Sequence, residues 1–158
     1  PSPSMACRDG LPPSWRRAHK GGRQDEVELA MIEVKIEPAD EYPQVIEDPT
    51  STDVAALVER RAQDLSTTIT ISDTSEEGRQ LLVALSSGLA FVGLISDDQQ
   101  YQLVNEAAGE ASVEMTIGGQ LVSVAGYFAV EPRYAVQAVI AFIDNEPLRA
   151  PGLRWRTQ

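Results

Sequence analysis

SVEMTIGGQLVSVAGYFAV, residues 112–130, carries the sharpest local signal in this 158-residue chain. Two alternating segments flank Gly118-Gly119, and a two-residue type I′ turn needs positive φ at both central positions, which glycine adopts without steric cost. That turn fixes the register, setting Ile117 opposite Gln120, Met115 opposite Val122 and Val113 opposite Val124. Val113, Met115, Val122 and Val124 then share a buried side. Glu114, Thr116 and Ser123 fall on the side open to a partner. Farther on, Tyr127 and Phe128 are adjacent, so a continuing strand turns one inward and one outward. Tyr127, as the outward ring, is a candidate aromatic anchor.

Downstream, EPRYAVQAVIAFIDNEPLRAPGLRWRTQ (131–158) reads as a buried helix and a closing strand. Pro132 suits the first helical turn, and Val136, Val139, Ile140 and Ile143 recur at helical spacing, widened by Ala135, Ala138 and Phe142. Pro147 and Pro151 stop the helix, and GLRWR alternates as a short strand in which Trp155 is core.

Upstream, MIEVKIE (31–37) alternates as a strand, and residues 38–49 read as an acidic, proline-bearing loop. Thr50 and Asp53 form a capping box for a first helix with Val54, Leu57, Val58 and Leu65 on its buried stripe, and Arg60-Arg61 lie near its C-terminal end. TTITIS (67–72) is a strand and DTSEEG (73–78) a turn-rich connection. RQLLVALSSGLAFVGLIS (79–96) is two strands joined near Ser86, Ser87 and Gly88. Asp97 to Gln100 break the run, a strand begins at 101–104, and NEAAGEA (105–111) is a small-residue loop. The layout is α+β: a meandering, mainly antiparallel sheet with two helices packed on it and a short C-terminal strand.

Residues 1–30 combine Pro, Gly, Ser and Arg without apolar periodicity. They are expected to be a disordered or loosely attached tail, a vector remnant or a mis-called start, ahead of a single domain at 31–158. Its WRRAHKGGR cluster reads as solvated tail in preference to a nucleic-acid arm. No apolar run approaches the roughly 18 residues of a membrane span. The single cysteine, Cys7, makes a reducing, cytoplasmic setting the default.

Charge is uneven. Residues 1–30 hold five bases against four acids, whereas residues 31–158 hold eight against twenty, a net of −12. Such a surface repels nucleic acid and membranes and speeds encounter with a basic partner. Catalytic constellations are not legible. The only histidine, His19, lies in the tail, so residues 31–158 contain neither a Ser-His or Cys-His couple nor the usual zinc ligands. Gly21-Gly22 and Gly118-Gly119 lack the strand-to-helix context of a phosphate cradle. Asp97-Asp98 and Glu76-Glu77 read as solvated turns in preference to catalytic pairs. No enzyme, metal or cofactor is expected.

A helix ending VAALVERR, hairpins from Thr67 to Ser96, the Gly118-Gly119 hairpin, PRYAVQAVIAF, and a turn and strand around Pro151 and Trp155 occur in that order. Over residues 31–158 this pattern resembles family one of the immunity proteins of bacterial polymorphic toxin systems. Similar members place Arg-Pro soon after the second helix, whereas here NEPLRAPGLRW spreads two prolines over a longer turn. The resemblance implies a cytoplasmic protein that binds and neutralises a cognate secreted toxin, similar in many cases to nucleic-acid deaminases. A toxin of that kind needs a cationic substrate channel, which an acidic protein can occupy in place of phosphate. The implied partner is a basic toxin domain, with neither nucleic acid nor membrane bound directly.

Candidate contacts are Asp97, Asp98 and Tyr101 about one hairpin tip, with Glu106, Glu110 and Glu114 extending the acidity toward the next, together forming a single edge. Two alternatives stand beside this reading. One is an acidic adaptor with another partner, and the other is a small enzyme using two converging carboxylates.

Overall fold

A computed structural model describes residues 31–75, 78–144 and 146–157. The tail with His19 and Cys7, and the Glu76-Glu77 pair, lie outside the described residues.

Among the described residues, nine strands and two α-helices follow one another: β1 (Ile32–Pro38), β2 (Gln44–Glu47), α1 (Ser51–Arg61), β3 (Thr67–Asp73), β4 (Gln80–Ser86), β5 (Leu89–Ser96), β6 (Gln99–Leu103), β7 (Ser112–Ile117), β8 (Gln120–Ala125), α2 (Pro132–Ile143) and β9 (Trp155–Thr157). Seven strands form one sheet in the order β2-β1-β3-β4-β5-β6-β9, every neighbouring pair antiparallel. The expected α+β architecture is present, with β3 to β6 as the meander.

Side chains directly opposite one another share a face. One cross-strand row therefore runs Ile46, Val34, Ile71, Leu81, Leu94, Tyr101. Beside it, Ile36, Ile69, Val83 and Val92 make a second row. Apart from the exposed Ile46, both rows merge with Val54, Leu57 and Val58 of α1 and Ala135, Ala138, Val139, Phe142 and Ile143 of α2 in a single hydrophobic cluster. The helices thus lie on one face, packed against each other as well as on the sheet. Thr50 accepts a hydrogen bond from the Asp53 N–H, and the Asp53 carboxylate accepts one from the Thr50 N–H, the reciprocal capping box that starts α1.

A third layer lies on the opposite face. The β7–β8 hairpin has the register its Gly-Gly turn dictates, Ile117 with Gln120 through Ser112 with Ala125. Its Thr116 N–H donates to Ser86 Oγ and its Gly118 N–H to Thr68 Oγ1. Thr68, Ala84 and Ser86 point away from the helices yet are buried, because this hairpin covers them. Of its four apolar residues expected to be buried, Met115 is fully enclosed while Val113, Val122 and Val124 are half-buried. A two-stranded ribbon is too narrow to shield all four.

Several expectations are corrected. The acidic loop at 38–49 contains strand β2, hidden in the sequence because Pro43 and Pro49 bracket it and all four of its residues are exposed. Leu65 lies beyond the end of α1 and is 79% exposed. On α2 the stripe is rotated toward Ala135, Ala138 and Phe142, which lets α1 approach closely and leaves Ile140 at the surface. Tyr127 and Phe128 are not in a strand. They form a 3-10 turn with Gly126, and both are half-buried. Trp155 is half-buried against the core, its indole N–H donating to the Pro147 carbonyl.

One buried polar contact ties the layers together. The Arg79 guanidinium donates to Asp73 Oδ2 at 2.9 Å and to the Phe142 carbonyl in the last turn of α2 at 2.8 Å, while stacking 4.1 Å from the Phe142 ring centroid. Asp73 also accepts from the Ser75 N–H and hydroxyl. A cation beneath a helix C-terminus satisfies carbonyls the helix itself leaves without donors.

Candidate functional site

Away from the helices, the sheet surface divides into three zones. Glu33, Lys35 and Glu37 make a charged strip on β1, the β7–β8 hairpin covers the middle, and the halves of β4, β5 and β6 nearer the Asp97-Asp98 turn stay open. The open zone is a groove of about 210 Å³ with Leu82, Phe91 and Ile95 supplying apolar wall and Gln80, Gln100 and Gln102 supplying carboxamides. Gly93 is its floor, between Leu82 on β4 and Gln102 on β6. A Cβ at Gly93 would meet only the Tyr101 carbonyl at 3.9 Å and the Phe91 ring at 4.0 Å, both ordinary contacts. The groove therefore exists because that position carries hydrogen, not because packing forbids a side chain there.

Along one side runs an aromatic cluster. Phe91 meets Phe128 edge-on at 6.4 Å, Phe128 meets Tyr127 at 4.6 Å, and the Arg156 guanidinium lies 4.4 Å from the Tyr127 ring centroid. At the end of the groove, Asp97 and Asp98 form the two-residue β5–β6 turn, both exposed, at φ 54° and 65°. This is the backbone of a type I′ turn, found also at Ser87-Gly88 and Gly118-Gly119. Two carboxylates thus stand in the left-handed region where glycine or asparagine is favoured.

The candidate residues separate in space. Asp97 and Asp98 do not line the groove but lie in the turn one residue pair beyond Ile95 and Gln100, which do. Tyr101 belongs to the helix-side row and packs against the core, while its neighbours Gln100 and Gln102 face the groove. Glu106 and Glu110 lie in the loop beyond the opposite end of β6, about 20 Å from the Asp97-Asp98 turn by strand rise. Glu114 is exposed on the outward side of β7. Tyr127 is held beneath Arg156 with its carbonyl accepting from the Asn105 N–H, so its ring is a packed element rather than a free anchor. The single acidic edge is therefore not formed.

Phe91, Gly93, the three glutamines and Arg156 went unsingled in the sequence. Only the alternation of β5, which puts Phe91, Gly93 and Ile95 on one face, signals the groove in advance. Chemically the groove suits an apolar side chain on its floor, hydrogen bonding to a passing backbone by the carboxamides, and a cation beside Asp97 and Asp98. Among the described residues no group of three or more His, Cys, Asp or Glu is placed to hold a metal ion, and no helix is long and apolar enough to cross a membrane.

Comparison with protein-family models matched none of them, and comparison with curated proteins gave no match to this chain.

Proposed function

We propose that this chain is a cytoplasmic immunity protein that binds and neutralises a cognate secreted toxin, a basic domain acting on nucleic acid in the manner of a deaminase. It acts by binding, without catalysis of its own. The observation that carries the reading is the groove with its apolar wall and carboxamide rim, together with the exposed carboxylates of the Asp97-Asp98 turn one residue pair beyond its lining. The net charge of −12 over residues 31–158 supports it, since long-range attraction speeds encounter with a cationic channel. So does the order of helices and hairpins, which resembles the first immunity family.

Co-expression with a candidate toxin domain tests the proposal. Rescue of growth and a complex on gel filtration are the expected results. Replacing Asp97 and Asp98 by asparagine, which adopts the positive φ of both positions, should slow association several-fold at low salt and leave the fold intact. Absence of both rescue and complex would overturn the reading. Affinity that does not change between low and high salt would overturn the charge-mimic mechanism.

A further inference from the structure

Strand β2 is an open edge of the seven-stranded sheet, and its backbone has a definite outward face. The Asp48 N–H donates to the Ile32 carbonyl, and the β1–β2 register pairs Ile46 with Val34 and Gln44 with Ile36. Antiparallel residues alternate between bonding their partner and pointing away from it. Gln44, Ile46 and Asp48 therefore bond to β1, and the N–H and C=O groups of Val45 and Glu47 point off the sheet. At the other edge β9 has only three residues, and its Trp155 indole bonds the Pro147 carbonyl.

Independent of the backbone, the side chains at this edge are unusual. Tyr42, Val45 and Ile46 are 91%, 54% and 39% exposed, three large apolar groups within five positions. Ile46 is the uncovered end of the row that continues through Val34, Ile71 and Leu81, all fully buried. Around them stand Asp40, Glu41, Glu47 and Asp48, all exposed, of which Glu41 bonds Arg61. No base lies between residues 36 and 59.

We propose that β2 is a strand-addition site that takes an extended, cationic segment of a partner protein as an eighth strand. The inference deepens the reading of this chain as a binder of a basic protein and rests on it. The register sets the occupant's pattern. A residue opposite Ile46 extends the apolar row on the helix side, and a residue opposite Glu47 lies on the other face in line with Glu47 and Glu33, where lysine or arginine is complementary, while Lys35 behind Val45 is held by its ion pair with Glu37. The occupant alternates apolar and basic residues. A second copy of this chain fits poorly. It would bring the same four acids to the edge, and four residues per side bury less than the roughly 1,000 Å² of a specific interface.

The test uses the full chain and a blocked heptapeptide of alternating lysine and valine, followed by amide hydrogen exchange and peptide anisotropy. Before addition, the Val45 and Glu47 amides should exchange fast and the Ile46 amide slowly. On addition, Val45 and Glu47 should become protected. A peptide of the same composition with its valines together, or one N-methylated on the bonding side, should bind at least about tenfold more weakly. Val45→Pro removes one outward N–H at an edge position that tolerates proline, and should weaken binding to a similar degree. Glu47→Lys should do the same without touching the backbone. Equal binding of the rearranged peptide, or protection appearing at the Gly93 groove and not at β2, would overturn the proposal. No toxin is present in this assay, so its failure and a failure of the co-expression test are separately visible.

Discussion

Arg79→Ala is the most searching single perturbation of this fold. Arg79 and Asp73 have side chains only 5% and 0% exposed, and the guanidinium divides its donors between a carboxylate on β3 and the last turn of α2. The substitution removes the counter-charge from a carboxylate that cannot reach water, withdraws the donor from the Phe142 carbonyl and empties the space over the Phe142 ring. Removing one partner of a buried pair costs about 3–5 kcal/mol. The two hydrogen bonds from Ser75 stay with Asp73 and hold the value near the lower end. Against a total stability of about 5–15 kcal/mol, this is a loss of about a fifth to three fifths, equivalent to roughly 10–15 °C in Tm. Urea unfolding at pH 7 followed by circular dichroism measures it. The Asp73→Asn single variant and the double variant then close a cycle whose coupling should reach about 1 kcal/mol or more. Arg79→Lys keeps the charge but not the fork, and should fall between wild type and alanine. A loss below about 1 kcal/mol at unchanged m value would refute the view that this pair fastens the helix layer to the sheet.

Two further outcomes follow from single residues. Burial pushes the Asp144 carboxyl above its ordinary value at the C-cap of α2, where the helix dipole also disfavours an anion. The folded state then holds its proton more tightly than the unfolded chain, so ionised Asp144 opposes folding above that raised value and is neutral toward it below the ordinary carboxylate range. Asp144→Asn should therefore stabilise by about 0.3–1 kcal/mol at pH 7, with the gain gone at pH 3; equal effects at both pH values in thermal melts would contradict this. At Gly126 a Cβ would lie 2.8 Å from the Ala111 carbonyl oxygen and 2.9 Å from that of Gly109. Gly126→Ala should cost about 1–3 kcal/mol, with amide shifts concentrated in the 105–111 loop, and an unchanged melting temperature would count against the contact.

What the sequence disclosed was local. Gly118-Gly119 set a register that holds across the whole hairpin, and Thr50 with Asp53 marked the start of α1, because turn and cap chemistry act within a few residues. Strand β2 was illegible because an edge strand exposed on all four residues has no apolar alternation to read. Gly126 was illegible as a turn former, since its reason is the backbone of another loop. Asp73 read as the start of a polar turn and Arg79 as the first residue of a strand, and their pairing under the Phe142 carbonyl of α2 is set by tertiary packing. Of the candidate contacts, Asp97 and Asp98 were placed correctly on a turn. Tyr127 was expected on a continuing strand, and its 3-10 turn was illegible because the ring is held by Arg156, a residue 29 positions away; which face of β6 Tyr101 takes depends on a strand phase the sequence did not set.

The β7–β8 hairpin shares no backbone ladder with the main sheet. Side-chain oxygens of Ser86 and Thr68 and the burial of Met115 join the two. A layer joined this way should open as a unit of its own while β3, β4 and β5 stay paired. Its opening would uncover Thr68, Ala84 and Ser86 on the sheet and the enclosed Met115 on the hairpin, a smaller apolar surface than the core beneath the helices. The protein accordingly has two levels of stability. The inner one is set by the helices and the seven strands, and the outer one by a flap whose amides should exchange with solvent at a free energy below that of global unfolding.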